Sequence, residues 1–275
     1  MKEPGYLNLF ESGELARRSE RLMEMLGCCR ICPRDCDVNR LKDEVAACYS
    51  GLLPIVSTYT AHFGEEPALV GTRGAGNVFL GLCNLRCVYC QNYQISQTFK
   101  EQRKNEVTFE RLADIYLELQ GQGCHNINWV SPTHFVPQLV KSLLMAAERG
   151  LKLPVVFNTN SYDSVEVLRL LDGIVDVYLP DLKYSEDEVG REYSKVTEYV
   201  RHSRAALKET PDPAWSTTWT LKHGTNTLWT APRNVVVRNH LNHLIHHRAQ
   251  LTVYLRLLDV PVPATYGPSA DERTF

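Results

Sequence analysis

Cysteine is absent from the last 151 residues of this 275-residue chain. No apolar run approaches the ~20 residues needed to span a bilayer, and the N-terminus MKEPGYLNLF lacks the apolar core of a secretory signal. An excess of either charge is missing too. Lys and Arg number 30 against 32 Asp and Glu, for a net charge of −2, so neither nucleic acid nor an anionic membrane is expected as a partner. The basic run KEQRK at 100–104 reads as a solvated loop. These absences predict a cytoplasmic protein, in which thiols stay reduced. What remains is ordinary for a globular chain, with 44% hydrophobic and 23% charged residues.

All nine cysteines crowd into positions 28, 29, 32, 36, 48, 83, 87, 90 and 124. In a reducing compartment such clusters point to metal binding or catalysis rather than to disulfides.

Residues 9–27 carry apolar positions at helical spacing and predict one helix ending near Gly27. Residues 51–77 are glycine-rich and read as a loop. From Val78 onward short apolar runs alternate with amphipathic segments. Strands are expected at 78–82, 127–130, 155–158 and 175–179. Helices are expected from the cap Thr108 to about 120, from 136 to 150, around 165–171 and over 191–209. This alternation predicts an α/β fold, a partial (β/α) barrel of parallel strands preceded by a cysteine-rich N-terminal segment. Three regions follow: 1–70, a core at 71–209, and an irregular segment at 210–275. Six of the nine His and three of the four Trp lie after residue 200. That abrupt change suggests divergence or a shifted reading frame. Short strands at 235–237 and 253–258 are expected there. The i, i+4 pair His243 and His247 has ligand spacing, but with no third ligand it reads as part of an exposed polar helix.

Chemistry in such folds sits at the carboxyl ends of the strands. Cys83, Ser131-Pro132-Thr133-His134, Asn158-Thr159-Asn160 and Asp181-Leu182-Lys183 all follow expected strands. The segment CNLRCVYC at 83–90 has the spacing C-x3-C-x2-C. Three thiolates suit a soft metal centre. Structural zinc and most [4Fe–4S] clusters take four ligands, so three leave one iron open to a chelating substrate.

This spacing, with Tyr89 just before the last cysteine, resembles the radical S-adenosylmethionine superfamily. Within it, the chain is similar to the pyruvate formate-lyase activating enzyme group, in its branch with a cysteine-bearing N-terminus. The stretches YLNLFESGELARR, CRICPRDCDVNR, HFGEEPALVG, CNLRCVYCQNYQIS, GCHNINWVSPTHF and VDVYLPDLKY carry this likeness over roughly residues 6–205. The resemblance implies a [4Fe–4S] cluster on Cys83, Cys87 and Cys90 that binds S-adenosyl-L-methionine and cleaves it to a 5′-deoxyadenosyl radical. It also implies cofactor contacts at Asn92, Ser131, Thr133, Asn158, Asn160, Asp181, Lys183 and Arg256. Relatives hold glycines where this chain has SPTH at 131–134 and Ser161. The implied protein partners are a glycyl-radical enzyme or another protein substrate, and an electron donor such as flavodoxin or ferredoxin. The rival readings are radical modification of a different substrate and a non-catalytic zinc or iron–sulfur protein.

Cys29, Cys32, Cys36 and Cys48 form a second pattern, C-x2-C-x3-C-x11-C, with Cys28 as a spare thiol. It fits a zinc ion, a second cluster, or reduced thiols in a packed loop. Cys124 is expected to pack as a small buried side chain.

Overall fold

The structure is a computed structural model that describes residues 3–184, 186–202, 218–223 and 226–232. The chain opens with two helices, α1 (Gly5–Glu11) and α2 (Glu14–Glu24), followed by a short 3-10 turn over Met25–Cys28. The single helix expected over 9–27 is therefore broken. Gly13 takes φ 75°, a left-handed conformation that ends α1 and precedes α2. An irregular cysteine-bearing stretch leads to β1 (Val56–His62).

β1 corrects the loop expected over 51–77. Only Tyr59 and Ala61 alternate inward against the exposed Thr58 and Thr60, too short an apolar pattern to stand out among the neighbouring glycines. Next come α3 (Pro67–Val70), β2 (Ala75–Leu80), α4 (Tyr93–Ser96) and α5 (Phe99–Gln102). The repeating part then runs α6 (Phe109–Gly121), β3 (Ile127–Val130), α7 (Val136–Glu148), β4 (Val155–Thr159), α8 (Val165–Leu170), β5 (Val177–Pro180) and α9 (Asp187–Ser194). Thr108 caps α6 as expected, its hydroxyl accepting the Arg111 N–H at 3.1 Å. The helix expected over 191–209 is interrupted, because Lys195 turns left-handed at φ 55° and closes α9. Its part beyond 202 lies outside the described residues.

The five strands form one sheet in the order β1-β2-β3-β4-β5. β1 is antiparallel to β2, and the other neighbours are parallel. This is the mixed α/β, partial-barrel class expected from the strand–helix alternation. Alternate strand residues face opposite ways. Val78, Leu80, Ile127, Trp129, Val155 and Phe157 join the main core with residues of α2, α6 and α7. The other face carries the buried Asn77 and Asn128, linked at 2.9 Å, with Asn77 donating to Glu65 at 2.7 Å. That face also carries a small apolar cluster of Leu69, Ala75 and Val156.

In the C-terminal part, β6 (Thr218–His223) and β7 (Asn226–Pro232) pair as an antiparallel hairpin, where the sequence suggested no regular element. The strands expected at 235–237 and 253–258, Arg256, His243 and His247 lie outside the described residues. No described helix is long and apolar enough to cross a membrane.

Candidate metal and cofactor site

β2 delivers the chain into the turn that carries Cys83. Leu82 there takes φ 66°, and its N–H donates to the Ile95 carbonyl at 2.7 Å, so the cysteine loop folds back beside α4. Cys83 and Cys87 are buried, and Cys90 is half-buried. Each sulfur meets a polar hydrogen or hydroxyl. The Leu85 N–H and the Asn160 Nδ2 both donate to Cys83 Sγ at 3.4 Å. Ser194 Oγ donates to Cys87 Sγ at 2.8 Å. Cys90 Sγ lies 3.1 Å from Ser96 Oγ. Burial pushes the Cys83 thiol up to about 11, and the neighbouring Cys87 and Cys90 add to that rise, while the Leu85 N–H opposes it. A buried thiol such as Cys83, with two further thiols beside it, gains from a cationic iron–sulfur core, and donors aimed at sulfur suit thiolate ligands. In donor chemistry the residues present therefore fit a cluster, while the spacing of their side chains does not yet match one. Among the described residues no group of three or more Cys, His, Asp or Glu side chains stands together in metal-binding geometry.

Asn160, from the end of β4, is drawn straight to this loop. Besides Cys83 it donates to Asn84 Oδ1 at 2.8 Å, and Asn84 donates to the Tyr162 carbonyl at 2.9 Å. Asn84 is 1% exposed and directly follows the first cysteine, the one local hint of its role. An aromatic wall stands behind the thiols. Tyr184 reaches Cys87 Sγ at 4.0 Å, bonds Tyr89 at 2.5 Å and also bonds Ser194. Tyr199 stacks on Tyr162 and donates to the Asn160 carbonyl at 2.7 Å. Ser194, at the end of α9, has no sequence signal tying it to Cys87. Removing that bond by Ser194→Ala should lower the midpoint potential of a cluster bound here by about 40 mV, taking a bond of ~1 kcal/mol and a one-electron couple. A redox titration followed by electron paramagnetic resonance measures this; an unchanged or raised potential would remove Ser194 from the site.

Asp181 and Lys183 follow β5 and pair at 3.2 Å. Burial works against the Lys183 charge, but Asp181 and the Cys87 and Cys83 sulfurs outweigh it, so its pKa is raised. The ammonium thus stands in the field of the cysteine loop. Asn92, at the N-terminus of α4, is exposed and makes no side-chain cap. Asn158 is half-buried, and its carbonyl accepts the Ser131 N–H at 2.9 Å. Ser131 is half-buried with φ 57°.

Thr133 is placed differently from a cofactor contact. It is 1% exposed, and its hydroxyl donates to Asp163 Oδ1 at 2.6 Å. Thr159 donates to the other oxygen of the same carboxylate at 2.6 Å. Thr133 therefore ties the ends of β3 and β4 together. Asp163 was not legible from the sequence, and burial raises its pKa against the two hydroxyl bonds.

The second cysteine group lies in the irregular segment between α2 and β1. Cys29, Cys32 and Cys48 are buried, Cys36 is half-buried, and Cys28 is exposed, bonded to Asp37 at 3.2 Å. Cys124 is buried, 3% exposed, in the main core.

Residues 77–212 match the family model described as Radical SAM superfamily. Residues 183–274 match the DinB family model, over the compositionally distinct C-terminal part. The uncharacterized protein MJ0674 of Methanocaldococcus jannaschii is 33% identical over 194 residues, 66% of this chain and 54% of that protein. The uncharacterized protein MJ0808 of the same organism is 25% identical over 177 residues, 58% of this chain and 50% of that protein. The chain spans about half the length of these curated relatives. The matched residues 77–212 include the C-x3-C-x2-C loop at the end of β2 and the parallel strands that follow it, so this part of the chain is similar to the radical SAM superfamily.

Proposed function

We propose that the chain is a radical S-adenosylmethionine enzyme whose cluster is held by Cys83, Cys87 and Cys90, and that it activates a glycyl-radical enzyme. The observation that carries the first part is the convergence on these three thiols of side chains from the ends of three different elements, Asn160 on Cys83, Ser194 on Cys87 and Ser96 beside Cys90. When bound, a reduced [4Fe–4S] cluster supplies the electron that splits the C5′–S bond of S-adenosylmethionine. Asn160 and Ser194 orient two of the sulfur ligands. The Lys183 ammonium is available to balance a carboxylate brought beside the loop. Tyr162, Tyr184 and Tyr199, all buried, keep water from the thiols on their side.

The activase role rests on the likeness in the quoted stretches, since one fold hosts many radical reactions. Its substrate would be a backbone glycine of a partner protein, with the Cα hydrogen passing to the 5′-deoxyadenosyl radical and a flavodoxin or ferredoxin supplying electrons. Deuterium-labelled glycyl-radical enzyme tests it. Label appearing in 5′-deoxyadenosine, with a glycyl radical on the partner, supports the role. Cleavage of the cofactor without label transfer rejects it and leaves the cluster assignment standing.

A further inference from the structure

Arg40 is 1% exposed, yet among the described residues no carboxylate pairs with it. Its guanidinium donates to the Gly51 carbonyl at 3.1 Å, to the His134 carbonyl at 2.7 Å, and to Cys29 Sγ at 3.9 Å, while Nη2 has no hydrogen-bond partner. A buried cation without a counter-charge is costly. The one neighbour here able to become an anion is Cys29.

The other three thiols of the segment stand in the same field. Cys32 feels Cys48, Cys29 and Cys36, and Cys36 feels Cys48 and Cys29. Asp35 and Asp37 take φ 40° and 55°, and the Asp35 N–H closes a turn onto the Cys32 carbonyl at 3.1 Å. Cys28 faces away toward Asp37 and is no part of the group.

We infer that Cys29, Cys32, Cys36 and Cys48 form a second, tetrathiolate site for a thiophilic metal centre, with the buried Arg40 guanidinium as its counter-charge. A divalent ion and four thiols give a centre of charge −2 and release four protons to solvent. A [4Fe–4S]²⁺ core gives the same net charge. Binding would draw the four thiols of this short segment together from their present spacing, as metal sites formed with folding commonly do. The segment is also anchored to the first site. Arg34 Nε donates to the Asn84 carbonyl at 2.6 Å, and Arg86 donates to the Ala47 carbonyl at 2.6 Å. A metal centre there would fix the loop on which Cys83 and Asn84 rest.

The full chain carrying Cys83→Ala, Cys87→Ala and Cys90→Ala removes the first site. Purified without oxygen and reconstituted with iron and sulfide or with zinc, it should hold about one zinc or about four irons per chain. Adding Cys32→Ser and Cys48→Ser should lower that content at least ~10-fold, and Cys28→Ser should leave it unchanged. Elemental analysis separates zinc from iron, and acid-labile sulfide confirms a cluster. Arg40→Met should weaken binding by about 10- to 100-fold, as other outer-shell changes do. If the variant with Cys32→Ser and Cys48→Ser misfolds, cobalt(II) titration of the metal-stripped triple variant gives the answer, with one equivalent showing thiolate-to-metal charge transfer. A triple variant that takes up neither metal, or whose metal survives Cys32→Ser with Cys48→Ser, overturns the site. Either result leaves the Cys83 assignment untouched.

Discussion

Cys83→Ala should reduce 5′-deoxyadenosine release from S-adenosylmethionine at least ~100-fold, more than outer-shell losses around a metal, which run to about 10- to 100-fold. Cys83 is the first thiol after β2, with two donors on its sulfur and burial beneath the aromatic wall. Its loss leaves Cys87 and Cys90 to hold a cluster that normally requires three protein ligands in this arrangement. Iron content at the site should fall in parallel. Cys124→Ala is the matched control, because Cys124 is buried in the main core away from the loop, and cleavage should persist. Release by Cys83→Ala at the parent rate would show that the cleaving centre lies elsewhere.

The second large effect concerns Asp163. Its carboxylate is 7% exposed and accepts from Thr133 and Thr159, each at 2.6 Å. Asp163→Ala leaves two buried hydroxyls short of an acceptor, at about 1–3 kcal/mol each. The two hydroxyls lie 3.2 Å apart and can bond each other, so a total of about 2–4 kcal/mol is expected. For a domain of this size that lowers the melting temperature by roughly 4–16 °C.

The same group gives a pH dependence whose sign is fixed. Burial raises the folded-state pKa of Asp163, so the folded protein holds this proton more tightly than the unfolded chain. Its contribution to stability is fully present below the unfolded value of about 3.9 and is lost as pH rises through the folded value. Asp163→Asn carries no such proton. Urea unfolding followed upward from about pH 4 should show the parent losing stability relative to Asp163→Asn as pH increases. Parallel curves for the two proteins would mean that the carboxylate is already ionised at little cost.

These effects trace what the sequence could and could not disclose. The βα repeats were legible because α6 and α7 repeat their apolar positions along one face and β3 and β4 are short apolar runs. Thr108 announced its helix for the same local reason. The break at Gly13 was not legible, because the apolar spacing of Leu15 and Leu22 continues past it. Ser131 and Ser161 occupy left-handed conformations, φ 57° and 62°, at the ends of β3 and β4. Relatives are expected to use glycine there, so the turn persists with the residue that signals it removed. The cysteine loop was legible as spacing. Its supporting bonds were not, since Asn160 and Ser194 lie 77 and 107 residues from their sulfurs. Arg40 reads as one more surface cation until its burial is known. Thr133 was placed correctly at a strand end, but only the fold reveals that it turns inward to Asp163.

The most direct measurement is the release of 5′-deoxyadenosine by the full chain after anaerobic reconstitution with iron and sulfide and reduction with dithionite. The proposed function predicts cleavage of S-adenosylmethionine that depends on the reduced cluster and on Cys83, Cys87 and Cys90. A chain that binds only zinc at this loop, or that builds the cluster and leaves S-adenosylmethionine intact, would contradict the account.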